Sequence, residues 1–158
     1  MLMLTAAACQ QRTAQQSEST LTSGQRDAIT DTVRRATADF IAAVEHVDTT
    51  KAGPFFIHSP DFTFASNGEL MTGWQAFQPV FKGWNGLRSQ RITFLNSRIA
   101  VLSPTTAVET ISATGDVVDT AGKARRIDKS AITLLWVRDS TSWKILSIHQ
   151  SFPEPKAE

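Results

Sequence analysis

The chain is predicted to fold as an α+β domain, with N-terminal helices packed on a strongly curved antiparallel sheet. Three observations lead there. Apolar residues between Ile29 and Val47 recur at spacings of three and four, the period of one helix face. From about residue 89 onward the pattern is that of strands, cut by turn residues at Ser103-Pro104, Ala121-Gly122 and Asp139-Ser140-Thr141-Ser142. Helical and strand segments are segregated along the chain, whereas a parallel α/β sheet would alternate them.

Taken in order, Ser23 is placed to cap the first helix, with Asp27 in its first turn. Ile29, Val33, Ala36, Phe40, Ala43, Val44 and Val47 form its apolar side over about 24–49. Gly53-Pro54 ends it, and Phe55-Phe56-Ile57 with Ser59-Pro60 reads as a short second helix or turn. Phe62 to Ser66 alternates as a short strand, and Asn67-Gly68 supplies the turn into Glu69-Leu70-Met71. Thr72-Gly73 precedes a further helix carrying Trp74, Phe77, Gln78 and Phe81 on one side and ending near Gly83. Four strands follow at about 89–102, 106–119, 124–138 and 142–152.

Composition narrows the function classes. The 158 residues are 41% hydrophobic and 20% charged, ordinary for one soluble domain. Sixteen Lys plus Arg stand against fifteen Asp plus Glu, a formal charge of +1, so no long-range field favours nucleic acid. Arg34-Arg35 and Arg125-Arg126 are too small to be a nucleic-acid footprint.

Residues 1–9 are apolar and small, ending in the sole cysteine, Cys9; a Gln/Ser/Thr-rich stretch follows. This resembles the end of a bacterial lipoprotein signal, which implies lipidation of Cys9 and an extracytoplasmic, membrane-anchored protein on the periplasmic side. No Lys or Arg precedes the apolar run, and Ala6 stands where such signals usually carry Leu. The alternative is a cytoplasmic protein with an incidental cysteine. The expected organisation is a truncated signal at 1–9, a flexible tether at 10–22, one domain at 23–153 and a tail at 154–158. Membrane contact is expected only through the lipid anchor.

Three segments carry a family resemblance: Pro60 to Glu69, Thr72 to Phe77, and Trp143-Lys144-Ile145 followed by His149-Gln150-Ser151. In this order and spacing they resemble the nuclear transport factor 2-like, or SnoaL-like, superfamily over about 24–152. The last segment is also similar to the ending of the calmodulin-dependent kinase association domain, a non-catalytic member. The resemblance implies a cone-shaped, cystatin-like barrel with an apolar cavity at its wide end, a small-molecule ligand, and homodimerisation through the outer sheet face.

A pairing argument nominates the residues lining that cavity. If the last three hairpins close over Pro104-Thr105, Ala121-Gly122 and Ser140-Thr141, Glu109 neighbours Ala100 and Leu134, and Ile111 neighbours Arg98 and Ile132. Leu134 then pairs with Ser147 and Ile132 with His149. One face would carry Asn96, Arg98, Glu109, Ile111, Ile132, Leu134, Trp136, Ile145, Ser147 and His149, polar groups scattered among apolar ones as in a small-molecule pocket. A one-residue slip would move any strand's set to the other face.

His149 and Glu109 are the candidate catalytic pair. The imidazole titrates near neutrality and would serve as acid or base; the alternative is a hydrogen-bonded core histidine. Glu109 on a strand is costly to bury unpaired, and Arg98 is its expected partner in a structural ion pair. Phe64, Trp74, Phe77 and Trp136 are candidate pocket residues, with core packing as the competing role.

The isomerases and dehydratases of the resembled superfamily use tyrosine hydroxyls, and this chain has no tyrosine. Where the isomerase-like members carry a carboxylate base it has Ala65-Ser66-Asn67. Those mechanisms do not transfer residue by residue. Three dispersed histidines and one cysteine make no metal pattern; neither a phosphate loop nor a nucleophile elbow is present, so no cofactor is expected. The leading expectation is a binder of a small apolar or amphipathic molecule. The alternatives are an isomerase, dehydratase or cyclase-type lyase using His149, and a non-catalytic dimerisation module.

Overall fold

Thr22, one residue before the expected cap, starts the first helix. Its Oγ1 accepts from the Gln25 N–H at 3.3 Å while its own N–H donates to Gln25 Oε1 at 2.9 Å, a reciprocal capping box. Helix α1 spans Ser23–Glu45 and buries Val33, Thr37, Phe40, Ala43 and Val44 along one stripe. The computed structural model describes residues 21–153. The expected signal with Cys9, most of the expected tether and the expected tail lie outside the described residues.

The helix stops short of residue 49 because Asp48 competes for the backbone. Its carboxylate accepts from the N–H groups of Thr50 and Lys51, both at 3.1 Å, and so caps a new one-turn helix α2, Thr49–Ala52. Val47 at the junction takes a left-handed φ of 55°. A 3-10 turn at Gly53–Phe55 leads to a hairpin of β1 (Thr63–Ser66) and β2 (Glu69–Thr72) over Asn67 and Gly68, both with positive φ. Helix α3, Trp74–Gly83, follows. Gly73 precedes it with φ 84°, its N–H donating to the Phe62 carbonyl at 2.7 Å.

The long strands are β3 (Leu87–Ser103), β4 (Thr106–Asp119), β5 (Ala124–Arg138) and β6 (Trp143–Ser151). The sheet order is β2-β1-β6-β5-β4-β3. The sheet is mixed, because β1 runs parallel to β6, and it stays open, with β2 and β3 as its edges. Register shifts within β3, within β5 opposite Ala113–Gly115, and at Leu146 of β6 bend it around the helices.

Two packing regions result. Phe56 is the hub of an aromatic cluster, with ring centroids 5.4 Å from Trp74 and Phe81, 5.5 Å from Phe40 and 5.7 Å from Phe62 and Phe77. Such rings each contribute on the order of 1.5–3 kcal/mol by burial. The second region lies beyond the C-terminal turns of α1, where the sheet continues and the helix does not.

Candidate functional site

Alternation along β4 decides what faces α1. Ala107, Glu109, Ile111, Ala113 and Gly115 are buried while the residues between them are not, the period of two of a half-buried strand. Leu134 and Ile132 on β5 pair with Glu109 and Ile111. Ile99 and Ser97 on β3 pair with the same two residues from the other side.

A cavity of about 270 Å3 opens between this face and the end of α1. Phe40, Ile41 and Val44 of α1 form one wall; Phe64, Ile111, Ile132, Leu134 and Ile148 form the floor. The mouth is bordered by Trp84, Leu87, Val117, Ile127 and Phe152, with Gln90, Arg91, Thr114, Arg125, Ser130 and Gln150 as its polar members. The volume falls just below the ~300–1,000 Å3 typical of small-molecule pockets.

The nominated residues divide between the two faces. Phe64, Ile111, Ile132 and Leu134 line the cavity. Trp74 and Phe77 belong instead to the aromatic cluster, and Trp136 is wholly buried against Phe40, with ring centroids 6.5 Å apart. Asn96 and Arg98 are exposed on the outer face, paired with Ser112 and Thr110. Ser147 is half-buried and accepts the Thr63 hydroxyl at 2.6 Å, away from the cavity. His149 is exposed on the outer face, where its strand neighbours are Ala65 and Thr133.

The expectation that His149 and Glu109 share a face is therefore overturned. An extra residue in β6, Leu146, bulges opposite Leu135 and Trp136, so Leu134 pairs with Ile148 and Ile132 with Gln150. Ile148 and Gln150 face the cavity in place of Ser147 and His149. A second shift, at Leu102 of β3, sets Glu109 opposite Ile99 and turns Arg98 outward.

Glu109 is consequently not ion-paired with Arg98. It is 1% exposed, and three neutral donors surround it: the Ser97 hydroxyl at 2.7 Å to Oε1, the Trp136 indole N–H at 3.3 Å to Oε2, and the Thr37 hydroxyl to Oε2. Thr37 also lies 3.1 Å from the Val33 carbonyl. No buried side-chain polar atom among the described residues lacks a partner, so the carboxylate is compensated by hydrogen bonds. It stands behind the cavity floor and is absent from the wall, which makes it a structural group tying α1 to β3 and β5.

Ile148, Gln150, Ile127 and Arg125 were missed on the sequence. Their signal is the alternation of β5 and β6 once the bulges are known. Among the described residues no three His, Cys, Asp or Glu side chains converge as a metal site, and no helix is long and apolar enough to cross a membrane.

The model of the SnoaL-like domain family matches residues 33–155. The chain belongs to the SnoaL-like domain family. Solved structures similar to this SnoaL-like domain include a nuclear transport factor 2-like superfamily protein from Salmonella enterica serovar Typhimurium, with a TM-score of 0.72 at 16% identity over 84% of this chain and 96% of that one. A Novosphingobium aromaticivorans protein provisionally named a scytalone dehydratase has a TM-score of 0.69 at 14% identity, covering 84% and 89%. The association domain of C. elegans CaMKII has a TM-score of 0.65 at 18% identity, covering 82% and 99%. At these identities the likeness shows the nuclear transport factor 2-like fold alone. No curated protein matches the sequence.

Proposed function

We propose that this SnoaL-like domain binds a small, largely apolar molecule in the cavity between α1 and the inner sheet face. The observation that carries the reading is the cavity itself: about 270 Å3, lined mostly by apolar side chains with a few polar ones among them. Binding without proton transfer is favoured, because among the described residues the wall contains no carboxylate, imidazole, thiol or phenol and His149 faces the other way. The isomerase or dehydratase reading draws support from the dehydratase name of one structural neighbour, but it needs an acid or base that the wall does not supply.

A thermal-shift screen of small apolar and amphipathic molecules tests the binder reading, followed by a co-crystal structure of any hit. Density between Ile132 and Val44 supports it. A collapsed cavity with no stabilising ligand argues against it.

Two further parts of the proposal concern assembly and location. Leu95 and Leu102, both more than half exposed at irregularities of edge strand β3, and the likeness to an association domain support a homodimer, which light scattering would test. Lipidation of Cys9 and an extracytoplasmic location rest on the sequence pattern of residues 1–9. Loss of membrane fractionation in Cys9→Ala would support them, and unchanged fractionation would reject them.

A further inference from the structure

We infer that the ligand of this cavity carries an acidic head group, held at the mouth by Arg125. The inference rests on the reading of the cavity as a ligand site and adds the chemical class of its occupant.

The argument starts from two adjacent arginines with opposite fates. Arg126 projects from the outer face of β5, where its guanidinium donates to both oxygens of Asp116, at 2.8 and 3.0 Å, and lies 3.6 Å from Asp128. Alternation then sends Arg125 and Ile127 to the inner face. The register agrees: Arg125 pairs with Val117 and Val117 with Gln90, and all three line the cavity mouth. Ile127 lies so close beneath Gly115 that a Cβ there would sit 3.9 Å from its side chain. Arg125 has no ion pair among the described residues.

Three of the other polar wall groups make side-chain hydrogen bonds, and Thr114, between the inward-facing Ala113 and Gly115, belongs by alternation to the outer row. The Gln90 amide donates to the Val44 carbonyl at 2.6 Å, the Ser130 hydroxyl to the Ala113 carbonyl at 3.2 Å, and the Gln150 amide to Ser66 Oγ at 3.3 Å. Arg91 borders the mouth, but its strand partner is Asp116, which places it in the outer row with Arg126. Among the described residues no Asp or Glu lines the cavity. An apolar chamber whose mouth carries the inner-row guanidinium of Arg125, exposed and without an ion pair among the described residues, selects an amphipathic anion: the body fills the chamber, and the head takes the fork of N–H donors that Arg presents to a carboxylate or phosphate. At roughly 30 Å3 per water-sized group, the body is on the order of ten heavy atoms.

Trp84 at the mouth provides the readout. Quenching of tryptophan fluorescence in the full chain would be titrated with 2-naphthoate, its neutral analogue 2-naphthamide, and 2-naphthyl phosphate. The expected result is that at least one anion binds tenfold or more tightly than the amide, with the stronger of the two identifying the head group. Arg125→Gln should bring acid and amide to within about twofold of one another, and Arg126→Gln should leave the preference intact. Equal binding of acid and amide by the wild type overturns the acidic-head inference while leaving the cavity reading standing. A preference that survives Arg125→Gln overturns the role of Arg125, and binding of none of the three probes overturns both readings.

Discussion

The indole N–H of Trp136 donates to Glu109 at 3.3 Å in the middle of the core, where neither residue is more than 1% exposed. The contact ties β5 to β4, and the Thr37 and Ser97 hydroxyls extend the tie to α1 and β3. A carboxylate so placed is the common acceptor at a junction of four elements. Glu109→Gln keeps an acceptor for Trp136 and Thr37, and its amide can donate to a rotated Ser97 hydroxyl, so the cost is expected to be about 1 kcal/mol or less. Glu109→Leu strands the fully buried indole N–H, while the exposed Ser97 can turn to water, and should cost about 3 kcal/mol. Urea denaturation of the two variants measures the difference. If Gln proves as costly as Leu, hydrogen bonding is not what the site requires.

His149 has the opposite environment, an exposed position between Ala65 and Thr133 on the outer face. His149→Ala should leave stability within about 0.5 kcal/mol and should leave the affinity for a cavity probe unchanged. A tenfold loss of probe binding would show that the outer face communicates with the cavity and would reopen a functional role for this side chain.

The two residues show how much of the site could be read from sequence. The turns were legible: Ser103 pairs with Thr106 and Arg138 with Trp143, as tight closure over Pro104-Thr105 and Ser140-Thr141 requires. What the pattern did not carry was the single-residue shifts just beyond them, at Leu102 and Leu146. Both residues are apolar members of apolar runs, so nothing in their chemistry marks them as extra. Each reverses the facing of its strand as far as the next shift, which in β3 comes at Leu95, and this is why the turn-based register points Arg98 and His149 inward. The β4–β5 pairing of Glu109 with Leu134 was legible only because two departures cancel: the strands leave their turn one residue out of step, and the shift opposite Ala113–Gly115 restores the register. The first and third helices follow from 3.6-residue periodicity with their flanking cap and breaker residues and lie within a few residues of expectation, whereas the short second one comes earlier than residues 55–60, at Thr49–Ala52, where Asp48 ends α1.

Ile132 lines the cavity floor beside Ile111, its partner across the β4–β5 pair. Ile132→Trp projects the added ring into space that is already empty, so overpacking is relieved into the cavity and the cost should stay under about 1.5 kcal/mol. Affinity for a naphthalene-sized probe should fall at least tenfold. Retained affinity would place the binding site elsewhere on the molecule.

Gly115 sits where the sheet bends toward the cavity mouth, and a Cβ built on it would lie 3.1 Å from the Arg91 carbonyl oxygen. That neighbour is backbone, so it can yield only by moving the strand, although β3 is an edge strand and freer than an interior one. Gly115→Ala is therefore expected to cost about 1–2 kcal/mol and to weaken probe binding by displacing the mouth. A variant as stable as the wild type, measured by urea denaturation, would show that the edge strand absorbs the methyl group.

Asp48 supplies a pH test of the α1–α2 junction. The Thr50 hydroxyl at 2.6 Å and the N–H of Lys51 hold its carboxyl down from 3.8 to about 2. The nearby Lys51 ammonium, 3.3 Å away and largely exposed, adds little. A carboxyl with a depressed folded-state pKa stabilises the fold fully above its unfolded value, and loses that contribution as pH falls through the folded one. Asp48→Ala removes the cap at every pH, so its Tm should lie below the wild type by a constant margin from pH 7 down to about pH 4.5. The margin should then shrink on the way to pH 2, as the wild-type carboxyl takes up its proton and the cap weakens. Thermal melts across that range decide the matter. A gap that stays constant to pH 2, or widens, means that the ionised cap is not what holds the start of α2.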